Sequence, residues 1–125
     1  MEIELQKIKN GVGNYFGRWE NSYDKARIIG AFTIFQENGE LQIAVEGSPN
    51  GIYPGDWTST TLKAHSYDPD SDDVVAFQAS YNLEDITAFL AINENKGLLI
   101  IAGYFTFKTN KGKSDFFVRE FFTKI

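Results

Sequence analysis

Apolar and polar positions alternate along most of this chain with a period of two. Runs rich in Val, Ile, Phe, Thr and Tyr recur between clusters of Gly, Asn and Asp. This is the pattern of many short strands, each turning one face to a core. The sharpest case is the segment from Ile28 to Gly47, centred on Asn38-Gly39. Both central residues tolerate positive φ, which favours a two-residue hairpin turn. Such a turn fixes the register. It sets Ile34 opposite Ile43, Phe32 opposite Val45 and Gln36 opposite Leu41. The other face then pairs Phe35 with Gln42, Thr33 with Ala44 and Ala31 with Glu46. Turn chemistry and alternation choose the same buried face.

Further strands are predicted over Thr60 to Tyr67, Val74 to Tyr81, Ile86 to Ile92, Leu98 to Phe107 and Phe116 to Thr123. Tyr15 to Glu20 reads as an early strand, and Ile3, Leu5 and Ile8 as a short one before it. Turns fall at Asp68 to Asp73, Asn93 to Gly97 and Thr109 to Ser114, with one tight turn at Asn82 to Asp85. No stretch has the period of a long amphipathic helix, and no repeat or linker interrupts the chain. The expectation is an all-β fold: a small antiparallel up-and-down β-barrel of about eight strands, one domain over residues 1–125. Closing the meander would remove exposed strand edges.

Two strands break the simple alternation. Leu98 to Phe107 puts Leu99, Ile101, Phe105 and Phe107 on one side, and Leu98, Ile100, Ala102 and Tyr104 on the other. Phe116 to Thr123 opposes Phe117 and Phe121 to Phe116, Val118 and Phe122. A barrel wall needs one apolar face, so the second requires a cover. Ile3, Leu5 and Ile8 are too few to cover two strands. The expectation is a homodimer, or a higher oligomer, built on these last strands.

Composition narrows the chemistry. The chain has 125 residues and no cysteine, which excludes disulfides, thiolate metal sites and a cysteine nucleophile. Its formal charge of −5 argues against binding a phosphate backbone, so no nucleic-acid partner is expected. Aromatic residues make up 15% of the chain, a supply suited to a ring-built core or pocket. Met1-Glu2-Ile3-Glu4 has neither the basic start nor the apolar run of a signal peptide, so a cytoplasmic location is expected. The longest apolar run, Gly97 to Phe105, is too short to span a membrane as a helix.

Several local patterns point weakly to chemistry. Asp68, Asp70 and Asp72 have the opening spacing of a calcium loop. Asp73 then stands where glycine belongs and Ala79 where the bidentate glutamate belongs, so the segment reads as an exposed acidic turn. Lys108, Lys111 and Lys113 crowd one hairpin tip, as solubilising lysines do. His65, the one histidine, alternates with Lys63 and Tyr67 on a polar strand face. Ser48 to Thr58 reads as an irregular segment carrying Tyr53-Pro54-Gly55 and Trp57. It is either a cover over a barrel mouth or a surface crossover anchored by its rings. No cofactor or metal is expected.

Gly17-Arg18-Trp19 opens the first clear strand and Arg119 lies in the last. This pairing resembles the calycin superfamily of lipocalins, fatty-acid-binding proteins and avidins. There the tryptophan packs near one barrel end under a basic side chain from the end of the chain. The resemblance implies that Arg119 stacks on Trp19. Gly17-Arg18-Trp19-Glu20-Asn21-Ser22 and the ending Phe122-Thr123-Lys124-Ile125 are most similar to avidins. That likeness implies a ligand contact at Asn21 and association through the later strands. Avidins take further pocket tryptophans from later strands, whereas here the other tryptophan is Trp57. Val118-Arg119-Glu120-Phe121 is similar to the carboxylate clamp of fatty-acid-binding proteins, with Phe121 where they carry tyrosine.

Three functional readings follow. The first is a non-enzymatic protein holding a small apolar or amphipathic ligand in the barrel mouth, with Trp19, Asn21, Tyr23, Trp57 and Arg119 as contacts. The second is a solid acidic barrel that binds another protein, as an inhibitor or immunity-type partner does. The third is a barrel cyclase or isomerase. Large side chains at every inward position would favour the second, and a ring-lined cavity the first. An acid–base pair on a cavity wall would favour the third.

Overall fold

The computed structural model describes residues 11–109 and 112–125. The short strand expected at Ile3, Leu5 and Ile8, and Lys111 of the lysine tip, lie outside the described residues. A 3₁₀ turn, Val12–Tyr15, leads into the strands β1 (Gly17–Asn21), β2 (Ile29–Glu37), β3 (Glu40–Gly47) and β4 (Gly55–Thr61). They continue through β5 (Lys63–Ser66), β6 (Val74–Asn82), β7 (Ile86–Asn95), β8 (Leu98–Phe107) and β9 (Phe116–Lys124). Among the described residues these nine strands form one sheet in the order β4-β3-β2-β1-β9-β8-β7-β6-β5. Every pairing is antiparallel. The molecule is therefore an all-β, up-and-down, nearly closed barrel, an architecture compatible with a calycin-like fold.

The hairpin register is the one that Asn38-Gly39 dictates. Ile34 pairs with Ile43, Phe32 with Val45 and Gln36 with Leu41. Asn38 and Gly39 have φ of 52° and 79°, as a two-residue turn of this type requires. A second such turn at Lys96-Gly97 joins β7 to β8, so both strands run farther into the expected Asn93 to Gly97 turn.

The strand expected from Thr60 to Tyr67 is divided. β4 and β5 are separated by Leu62 alone, yet they stand at opposite ends of the strand order. One bent segment thus pairs with β3 on one side and β6 on the other, which gives nine strands where about eight were expected. Leu62 is fully buried at the bend, and its N–H donates to the Leu41 carbonyl at 2.9 Å. β4 also begins earlier than expected, because its ladder continues to the Gly47–Gly55 pair. Trp57 therefore lies on a strand and not in a loop.

Between β4 and β6, side chains hold the seam. The Tyr81 hydroxyl of β6 donates toward the Thr58 carbonyl at 2.8 Å and the Ile43 carbonyl at 3.1 Å. It also accepts from the Val45 N–H at 3.1 Å. Thr60 Oγ1 donates to the Ser80 carbonyl at 3.1 Å. A register shift in the β3–β4 ladder, with Thr58 at φ 69°, leaves these β3 groups for Tyr81 to satisfy.

Large side chains occupy many of the inward positions among the described residues. Trp19 is buried, with its ring parallel to Phe32 at a centroid separation of 6.2 Å. Phe32 meets Phe122 edge-on at 4.9 Å. Trp57 meets Tyr81 at 5.6 Å and Phe105 at 6.3 Å, and Phe105 stacks on Phe116 at 4.7 Å. Such pairs add to what their buried area contributes. Both indoles donate to the carbonyl four residues before them, Trp19 to Tyr15 at 3.0 Å and Trp57 to Tyr53 at 2.9 Å. The Trp57 bond needs the 48–54 segment pressed against β3. At Gly47 a Cβ would stand 1.6 Å from the Tyr53 oxygen, so only glycine fits.

Candidate functional site

The five residues singled out from the sequence do not converge. Trp19 and Asn21 share the inward face of β1. Trp57 packs in the core on β4. Tyr23, in the segment after β1, is 61% exposed. Arg119 is on the outer surface, over the ring of Phe121 at 5.1 Å. The expected stacking of Arg119 on Trp19 is thus corrected. Phe122 is fully buried, so strict alternation turns Val118 and Glu120 inward and Arg119 outward.

The inward position beside Asn21 belongs to Glu120, which the sequence reading passed over. Its parity with Phe116, Val118 and Phe122 was the available signal. Asn21 Nδ2 donates to Glu120 Oε2 at 2.9 Å and to the Ile29 carbonyl at 2.9 Å, while Asn21 Oδ1 accepts from the Tyr23 N–H at 2.8 Å. Glu120 Oε1 is buried without a hydrogen-bond partner. Burial pushes the Glu120 carboxyl above its ordinary value, against the opposing effects of the Asn21 and Ile29 hydrogen bonds.

The outer surface is divided by charge. On β1 and β3, Arg18 contacts Glu46 and lies 3.3 Å from Glu20. Such exposed pairs contribute little to stability but keep this side polar. The outward positions of β7, β8 and β9, from Thr87 to Phe121, carry one charge, Arg119. Register aligns them in rows. Phe89, Tyr104 and Phe117 form one row; Ala91, Ala102 and Arg119 the next; Asn93, Ile100 and Phe121 the third, in which Ile100 is buried. Phe89 is 41% exposed, Tyr104 55%, Phe117 51% and Phe121 36%, and the Tyr104 and Phe117 rings lie 5.1 Å apart. Beside the first row is a shallow open depression lined by Ser80, Asn82, Thr87 and Thr106.

The remaining sequence candidates stay local. Asp68 Oδ1 accepts from the Asp70 N–H at 2.8 Å, the bond of a tight acidic turn. Lys113 lies over the Phe107 ring at 5.3 Å. His65 is half-buried, and its Nε2 has no hydrogen-bond partner. Among the described residues, no helix is long and apolar enough to cross a membrane. No protein family, curated protein or solved structure matches the chain.

Proposed function

We propose that this protein is a non-catalytic binding barrel that works through its outer surface, docking another protein on the face of β7, β8 and β9. The observation that carries the reading is the row of exposed rings around a single arginine, in a protein of net charge −5. Protein interfaces are enriched in aromatic residues and Arg and depleted of acidic residues and Lys at their centres. The buried rings of Trp19, Phe32, Phe105 and Phe122 also support it, because they take up room inside the barrel that a ligand would need.

A photo-crosslinking residue placed at Tyr104 tests the reading in cells, with the same residue at Thr33 on β2 as control. Protein adducts concentrated at Tyr104 are expected. Equal labelling at both positions, or none, would sink the docking face. A second reading, a small ligand bearing N–H groups at the end of the barrel, draws on the unpartnered Glu120 Oε1 beside Asn21. Native mass spectrometry of freshly purified protein tests it by the retained mass.

A further inference from the structure

We infer that the occupant of this face is a second copy of the chain, packed so that the ring row of each copy lies in the alanine row of the other. The inference rests on the docking-face reading and commits it to one partner and one register.

The shape argument starts from the three rows. Successive outward residues on a strand are about 7 Å apart. The rings of Phe89, Tyr104 and Phe117 form a ridge, and Ala91 and Ala102 beside them form a shallow furrow. A ridge next to a parallel furrow is self-complementary under a two-fold axis running between them, along the rows. The operation exchanges the rows and keeps each residue's strand position. Tyr104 of one copy then sits over Ala102 of the other, and Phe89 over Ala91. Strands of the two copies stay roughly aligned, one of the two common sheet-packing arrangements.

The charge argument concerns Arg119, which ends the furrow. A two-fold contact that brought like charges together would be disfavoured. This register separates the two arginines by one row and sets each over the Phe117 ring of the other copy. Arg119 already lies over one ring, that of Phe121, and a second ring is a favourable neighbour for a guanidinium. Two molecules of charge −5 repel, and they meet here on the face of β7 to β9, whose rows hold no carboxylate.

Area points the same way. A ring of this kind has roughly 150–250 Å2 to bury, so four rings near half exposure offer about 400 Å2. A standard interface takes about 800 Å2 from each partner. The rings supply the dry centre, and the flanking Thr87, Asn93, Leu98 and Arg119 extend it toward that size.

Sedimentation of the full chain at micromolar concentration tests the occupant, and a pair of variants tests the register. Wild type is expected to be a dimer. Phe117→Lys places a cation against Arg119 at both contacts, and Arg119→Glu removes both cation–ring contacts. Each alone should weaken the dimer about tenfold or more, with the circular dichroism spectrum unchanged. Mixed, the two variants keep one native Arg119–Phe117 contact and gain one Glu–Lys pair, so they should form a heterodimer tighter than either homodimer. A wild-type monomer would overturn the second copy as occupant. Adducts to a different protein at Tyr104 would then leave the docking face standing, whereas no adduct would remove both. A wild-type dimer indifferent to both substitutions, or one whose variants gain nothing on mixing, would overturn the ridge-in-furrow register.

Discussion

A carboxylate buried beside an amide loses the water that favours its charged form. At Glu120 that loss outweighs the hydrogen bonds from Asn21 and Ile29 and raises the pKa. The folded chain therefore holds this proton to higher pH than the unfolded chain does. The stability gained is fully present below the ordinary carboxylate range and is lost as pH rises through the raised folded value. Glu120→Gln removes the titration and keeps an acceptor for Asn21. Urea unfolding across pH 4 to 8 should show a flatter profile for the variant, with its advantage over wild type greatest at neutral pH; an unchanged slope would contradict the assignment. Tyr81 follows the same sign at the alkaline end. Burial first, and then the charge of Asp56, push its hydroxyl up to about 12. Its contribution is intact below its ordinary value of 10.0 and is lost between there and about 12. Tyr81→Phe leaves the buried Val45 N–H and Ile43 carbonyl without that partner, so it should cost roughly 2–3 kcal/mol in the same assay at pH 7. The two residues differ in legibility. Glu120 shares the parity of three apolar neighbours and could be read as inward. The Tyr81 partners lie 23, 36 and 38 residues away across a seam, where no local pattern points.

Elements with a strong local code were readable to the residue. Asn38-Gly39 fixed seven pairings of β2 with β3, from Ala31–Glu46 to Glu37–Glu40, and the register shifts only beyond them, before Ile29–Gly47. β4 was not readable, because two features disguise it. Gly55 and Pro54 look like turn residues, and Thr58 sits at a positive φ that β-branched residues seldom adopt. What holds β4 in place is a contact between segments: the 48–54 stretch lies on Gly47, and its Tyr53 carbonyl receives the Trp57 indole. Gly47→Ala forces that carbonyl away. The variant should lose roughly 2 kcal/mol or more, in the range of overpacked cores. In a Trp19→Phe background, the Trp57 emission should move to longer wavelength. Unchanged emission would mean that the segment adjusts without releasing the indole.

At the scale of the whole molecule, alternation alone pointed to an antiparallel barrel, but it left the last two strands undecided, since each is apolar on both faces. Choosing the inward face of β9 required the packing of Phe122 against Phe32, a contact 90 positions apart in sequence. Once that face is inward, Phe117, Arg119 and Phe121 must face out, and the apolar surface moves from the interior to the assembly. Charge then makes a prediction about the assembly as a body. Two protomers of −5 repel over distances set by salt, with a screening length of about 30 Å at 0.01 M and about 10 Å at 0.1 M. The contact itself is apolar, and burying its rings does not weaken as salt rises. Raising the salt should therefore remove the repulsion and leave the attraction, so the dimer should tighten from 0.01 to about 0.3 M sodium chloride. A complex with a basic partner would do the opposite, because its attraction would be screened. Sedimentation of wild type across that range tests this. A wild-type dimer that loosens with salt would mean that attraction between opposite charges, and not the apolar rings, holds the two copies together.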